Sequence, residues 1–250
     1  MSNFPEGASG DFPDWAEAGR HCTFDRPEFL EKVFAAARAV ANGTAVHMRD
    51  GCLFSAIEYS WPLLAGLMYS AARSDGKLVV LDFGGSLAAT YFQNRHFLEL
   101  LPQVEWHIVE RDVYCDFADQ HLQVPRVHFH RSIKACVESG ARPNVALFSS
   151  VLQFLPDPWA VLSEVADLPV RHVLIDRCPI SAEDRDRLTV FRAPIAIIAE
   201  MTRPMWFFQE ARLLQALGQG FDLVERFPGF EQAPSIPSRF TGYVLERTGS

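Results

Sequence analysis

The chain has 250 residues, 48% of them hydrophobic and 22% charged, enough to bury a full core and to exclude a disordered, collagen-like or solenoid protein. Lys and Arg number 23 against 31 Asp and Glu, so the net charge of -8 gives no general attraction to nucleic acid or anionic lipid, and neither partner is expected. Five dispersed cysteines without a CxxC pair fit reduced thiols, and with no signal-like start and no apolar run of bilayer length the expected compartment is the cytoplasm.

The first 75 residues read as a helical cap. Pro27 opens a helix in which Phe29, Leu30, Val33, Phe34, Ala37 and Val40 fall at three-and-four spacing until Asn42-Gly43 ends it. A second apolar helix is expected over residues 55–72, with Pro62 near its first turn. After Ser74-Asp75-Gly76, β-rich runs at 78–83, 105–109, 126–130, 145–149 and 172–175 alternate with helical stretches, the pattern of a parallel, doubly wound sheet. A long insertion, residues 178–215, follows the fifth run and is expected to face substrate. Runs at 221–226 and 240–246 are separated by PGFEQAPSIPS, too short for a crossover helix, so these two are expected to pair antiparallel. The chain thus divides into a cap, 1–75, and a sheet domain, 76–250.

The run Val79-Val80-Leu81-Asp82-Phe83-Gly84-Gly85-Ser86-Leu87 is a buried strand ending in an acid, two glycines and a hydroxyl. Glycines let a backbone approach a nucleotide-like ligand closely, and the helix that follows offers free N–H groups. Glu110 closes the next strand, 28 positions beyond Asp82, where an acid can accept hydrogen bonds from both ribose hydroxyls. Ser149, Ser150 and Gln153 follow the fourth strand, again at the carboxyl edge where open α/β sheets bind ligands. Each signal alone also suits an ordinary turn or a solvated carboxylate; their order along the chain carries the inference.

LDFGGSLAATYFQNR, the WHIVERD strand, SSVLQFLPDP and LIDRCPI, with GDFPDWAEA and Met48-Arg49-Asp50 near the start, resemble a family of class I S-adenosylmethionine (SAM)-dependent methyltransferases over nearly the whole chain. The resemblance implies an α/β, Rossmann-like class I methyltransferase fold: a seven-stranded, mostly parallel sheet with an antiparallel last strand and an N-terminal helical cap. It implies SAM as cofactor, with Asp82, Gly84, Gly85 and Ser86 in its loop and Glu110 on the ribose. It further places Arg131 and Ser132 by the adenine, and Ser149, Ser150 and Gln153 beside the methionine or the acceptor. The family's association with surface-polysaccharide and specialised-metabolite pathways implies a small-molecule or saccharide acceptor, with oxygen the favoured atom. Two departures stand out. Ala88 occupies a position where the family has glycine, and residues 199–206, AEMTRPMW, differ from the family's pattern.

Asp176, Arg177 and Cys178 follow the fifth run. A carboxylate there could take a proton from an acceptor hydroxyl, Arg177 could orient an anionic group, and Trp206 in the insertion could wall the pocket. A structural Asp176–Arg177 pair is the competing reading. Cys178 has no partner histidine in sequence, and His128 and His130 share a strand face without an acidic or cysteine partner in register, so no metal is expected. Two other functions compete. A nicotinamide-dependent oxidoreductase would share the glycine turn and ribose acid, but the chain lacks a Tyr-x-x-x-Lys pair. A non-catalytic binding module is the reading that Ala88 and the 199–206 segment motivate.

Overall fold

A computed structural model describes residues 6–23, 27–193, 201–233 and 235–249. The N-terminal segment begins with strand β1 (Gly7–Phe12) and the short helix α1 (Trp15–Gly19), whose cap Asp14 accepts from the Glu17 N–H at 2.8 Å. Helix α2 (Pro27–Ala41) leads to a hairpin of β2 (His47–Arg49) and β3 (Cys52–Phe54), and helix α3 (Trp61–Ala72) follows. Next come β4 (Lys77–Phe83), α4 (Ala89–Leu98), β5 (Gln103–Val109), α5 (Asp112–His121), β6 (Val127–His130), α6 (Ile133–Glu138) and β7 (Val145–Ser149). A single turn of 3₁₀ helix, Leu152–Phe154, precedes α7 (Pro158–Ala166) and β8 (His172–Ser181). Strands β9 (Arg187–Arg192) and β10 (Thr202–Phe207), helix α8 (Glu210–Gln215), and strands β11 (Phe221–Pro228) and β12 (Ser238–Arg247) complete the chain.

Seven strands form one sheet in the order β11-β12-β8-β7-β4-β5-β6. From β8 to β6 every pairing is parallel, whereas β12 runs antiparallel to both β8 and β11. The expected seven-stranded sheet with an antiparallel last strand is therefore present. Apolar side chains are buried on both of its faces, as a parallel sheet flanked by helices requires: Val145 and Leu147 point into one cluster, Ala146 and Phe148 into the other. Among the described residues no helix is long and apolar enough to cross a membrane.

The segment expected as a helical cap is distributed over three places instead. Strand β1 pairs with β9, and β9 with β10, in a separate three-stranded sheet, so the N-terminus and the insertion fold together. Helix α2 stacks Phe34 on Phe117 of α5, with centroids 4.1 Å apart. Helix α3 lies directly on the main sheet, where a β-carbon on Gly66 would meet Val244 at 3.1 Å and Leu174 at 3.2 Å. Glycine- and serine-rich β1 and the three-residue strands of the hairpin lack the alternation that announces a strand. The second helix starts at Trp61 rather than near residue 55, because Pro62 in its first turn suits only a helix start.

Strand β8 also runs further than the sequence suggests. Asp176, Arg177 and Cys178 lie inside it rather than after it, because ten-residue β12 continues to pair with it as far as Ser238↔Ser181. The register shifts between Thr241 and Tyr243, and Arg177 adopts φ 55 there, a bulge that re-aims its side chain. Cys178 is 1% exposed and burial raises its thiol pKa, which disposes it to packing rather than nucleophilic work.

Candidate functional site

The carboxyl ends of β4 to β7 open on a cavity of about 710 Å³. Its floor is the turn after β4, where Gly84 (φ 69), Ser86 (φ 52) and Ala88 (φ 64) are left-handed. Neither glycine admits a side chain: a β-carbon would lie 2.3 Å from Val151 Cγ2 at Gly84, and 2.5 Å from the Asp82 carboxylate at Gly85. The left-handed conformation costs a non-glycine residue about 1–2 kcal/mol, so Ser86 and Ala88 hold a strained turn of the kind that collects at ligand sites. Ala88 buries its methyl among the core residues on one face of the sheet, so the missing family glycine does not narrow the cavity.

Asp82 is not among the cavity-lining residues. It is fully buried beneath Gly85, and its Oδ2 accepts from the Trp106 indole N–H at 2.9 Å, while Oδ1 has no hydrogen-bond partner. Burial pushes its carboxyl up to about 7, opposed by the Trp106 hydrogen bond and assisted by Glu110. Glu110 does line the cavity, at the tip of β5, and one of its carboxylate oxygens accepts the Arg111 N–H at 2.8 Å. Past β6, Arg131 and Ser132 line the same wall. Arg131 is held by Asp116 at 2.5 Å, and Ser132 caps α6 by accepting from the Ala135 N–H at 3.0 Å.

Ser149 and Ser150 face the cavity from the end of β7. The Ser149 hydroxyl donates to Asp176 Oδ2 at 3.1 Å and accepts from Arg177 Nη2 at 3.0 Å. Gln153 is buried behind them, donating to Ser150 Oγ at 3.0 Å, and is not a lining residue. Asp176 does not line the main cavity but lines a small pocket adjoining it with Ser149, Arg177 and Arg49; it is 3% exposed, and Arg177 Nε donates to it at 3.3 Å. Burial raises its pKa, against the Arg177 charge and the Ser149 hydrogen bond. Asp176 thus supports both Ser149 and Arg177 from the β8 strand. Arg177 reaches the cavity with its charge already met, by Asp176 and by Glu231 at 2.9 Å. Trp206 is set back too: its indole donates to the Leu155 carbonyl at 3.1 Å and stacks on Trp15, and it is Trp15 that lines the cavity.

His128 and His130 both stack on His107 but have different polar partners. His128 pairs with Glu105 at 2.9 Å, whereas His130 Nε2 lies 3.0 Å from His107 Nδ1. His107, His130 and Cys136 bring donor atoms within 4.8 Å of one another, so the structure supplies the cysteine beside His130 that the sequence register did not show.

The cavity has a second end that the motifs did not reveal. Trp15, Phe29, Met48 and Met201 give it apolar walls, and Arg49, Asp50 and Arg203 give it charge. Met48 to Asp50 and Arg203 fall in segments marked by family resemblance or departure, but only the β1-β9-β10 sheet and the β2-β3 hairpin bring them to the cavity. Of the departing segment, residues 199 and 200 lie outside the described residues.

No protein-family model matches the chain, and no curated protein matches it. Among solved structures, the N-terminal domain of EvdMO1, crystallised in the presence of S-adenosylhomocysteine (SAH) and D-fucose, is 14% identical. That likeness covers 90% of this chain and 97% of that one, at a TM-score of 0.52. Magnesium protoporphyrin IX methyltransferase from Synechocystis PCC 6803, with bound SAM, is 12% identical over 75% of this chain and 79% of that one, at a TM-score of 0.48. At such identities the likeness is one of fold, and with the EvdMO1 domain it spans nearly the full length of both chains: this protein has the Rossmann-like methyltransferase fold.

Proposed function

We propose that the chain is a SAM-dependent methyltransferase acting on a small-molecule or glycosyl-type acceptor, with oxygen the methylated atom. The observation that carries this reading is the convergence of the side-chain-free Gly84-Gly85 turn, Glu110 and the Ser149-Ser150 pair on one cavity, at the edge of a sheet whose last strand is antiparallel. A nicotinamide-binding Rossmann sheet ordinarily continues with a parallel sixth strand, which disfavours the oxidoreductase alternative. EvdMO1, of the same fold, was crystallised in the presence of a sugar, which supports an acceptor of saccharide size.

The residues suit an adenosyl ligand. The backbone at Gly84 and Gly85 permits close approach, Glu110 offers acceptors for paired ribose hydroxyls, and Phe83, Val109 and Ile133 add apolar lining that suits a flat base. The cofactor would supply a methyl group on a sulfonium. An acceptor oxygen then forms the new C–O bond as the C–S bond breaks, SAH departs and the acceptor releases its proton. The protein's share is to hold the two partners in line and exclude water, which the apolar walls at Trp15, Phe29 and Met48 favour. Asp176 enters this scheme as the residue that positions Ser149 and Arg177.

Calorimetric titration with SAM, SAH and NAD tests the reading. Selective binding of the two adenosyl-sulfur ligands is the expected result. Preferential NAD binding would move the chain to the oxidoreductases, and failure to bind any of the three would make it a non-catalytic module.

A further inference from the structure

We propose that the second end of the cavity takes an acceptor bearing an oxyanion, a carboxylate or phosphate on an apolar body, and that Arg203 is its anchor. The inference rests on the methyltransferase reading of the same cavity and adds the acceptor's chemical class.

Arg203 projects from β10 into the cavity wall. Its guanidinium carbon sits 3.4 Å from the centroid of the Phe154 ring and 5.9 Å from that of Phe191. Aromatic faces hold a guanidinium in plane and attract its charge, but they accept none of its in-plane N–H bonds. Its Nε is buried without a hydrogen-bond partner, and among the described residues no carboxylate lies within ion-pairing distance. Asp50 is near enough to act on it through space without an ion pair, as are Tyr114 and Arg111 from the start of α5. Burial holds the Arg203 pKa below its ordinary value, yet a guanidinium stays protonated at neutral pH, so the wall keeps a desolvated positive charge.

The contrast with the other cavity arginines gives this charge its meaning. Arg177 is met by Asp176 and Glu231, and Arg131 by Asp112, Asp116 and Asp119. Arg49, which lines the same cavity, rests over Phe54 at 5.3 Å and Phe230 at 4.9 Å, on rings rather than carboxylates. Arg203, backed by rings and without a carboxylate on its Nε, presents a planar fork that matches a carboxylate or phosphate edge. The walls of Trp15, Phe29 and Met201 suit an apolar body attached to it.

Calorimetry on the SAH-saturated protein tests the anchor with 4-hydroxybenzoate, phenyl phosphate and the neutral 4-hydroxybenzamide. The wild type is expected to favour the better of the two anions over the amide by about tenfold or more, and which anion binds tighter separates carboxylate from phosphate. Arg203→Met is expected to erase that preference and leave SAH affinity unchanged. Arg203→Lys, which keeps the charge and stem without the fork, is expected to fall between the two and serves if Arg203→Met does not fold. Equal affinity for anions and amide in the wild type, or an undiminished preference in either variant, overturns the proposal. So does weakened SAH binding in a folded Arg203→Met, which would place Arg203 on the cofactor. If the wild type binds no SAH, the methyltransferase reading fails by itself, and the same comparison in the free protein still decides whether Arg203 anchors an anion.

Discussion

Gly84 packs so closely on Val151 that a β-carbon there would lie 2.3 Å from Cγ2. Gly84 also has φ 69, so any substitution adds left-handed strain to a clash. Gly84→Ala is expected to lower stability by about 1–3 kcal/mol, the usual range for overpacking, and to displace the turn enough to abolish SAH binding. Thermal denaturation and SAH titration of the purified variant check both effects. Adding Val151→Ala relieves the clash alone, so the double variant should recover stability in part. Wild-type SAH affinity in Gly84→Ala would show that the turn does not touch the ligand.

Asp82 gives the fold a pH dependence whose sign can be worked out. Its carboxyl stands near 7 in the folded protein against an ordinary 3.8, chiefly because it is buried. Between those values the folded state holds a proton that the unfolded chain has released, so stability falls as pH rises through that window. Asp82→Asn keeps an oxygen for the Trp106 indole and removes the titration. The melting temperature of Asp82→Asn should therefore match that of the wild type near pH 4 and rise above it towards pH 8. Comparing the two proteins removes the contributions of His47, His107 and His172, which burial pushes down to about 4 and which act in the opposite sense. A gap that stays constant with pH would mean that Asp82 is ionised throughout.

For Asp176, support and catalysis predict different outcomes. Its carboxylate accepts from Ser149 and Arg177, so Asp176→Asn leaves Arg177 short of one of its two carboxylates. Removing one partner of a buried pair costs about 3–5 kcal/mol, a loss that Glu231 moderates here by remaining on Arg177. A lowered melting temperature, with turnover of the folded fraction little changed, is the expected result. A loss of about 100-fold in kcat at unaltered stability would instead identify a general base.

The parts of this molecule that could be read from its residues are those governed by short-range rules. Asp82-Phe83-Gly84-Gly85 ends a buried run, Glu110 ends the next, and the antiparallel β11-β12 pair follows from a connection too short to cross over. What could not be read depends on pairings across the whole chain. The β1–β9 ladder joins Gly7 to Arg192, and without it nothing shows that Trp15 and Arg203 share a cavity. Asp176 and Arg177 looked like loop residues because a polar pair interrupts an apolar run. In fact the bulge opposite Gly242 keeps them in β8 and turns Arg177 towards Ser149. Trp206 stands one layer behind the pocket wall, with Trp15 in front.

The pairing of β1 with β9 yields the last prediction. Gly7↔Arg192 to Phe12↔Leu188 closes one edge of the small sheet, and α1 buries Ala18 against Leu188 and Val190, each no more than 1% exposed. Deleting residues 1–20 strips away both the strand and the helix, leaving the β9 edge with unpaired N–H and C=O groups beside newly bared apolar side chains. Such an edge recruits other chains, so the truncated protein is expected to aggregate, as light scattering would report. It also loses Trp15 from the cavity, an effect that Trp15→Ala isolates without touching the edge. That variant is expected to stay monodisperse and bind SAH normally, while losing affinity for the apolar probes used to test Arg203. A truncated chain that remains soluble and binds those probes like the full protein would show that β1 and α1 neither protect the edge nor build the pocket.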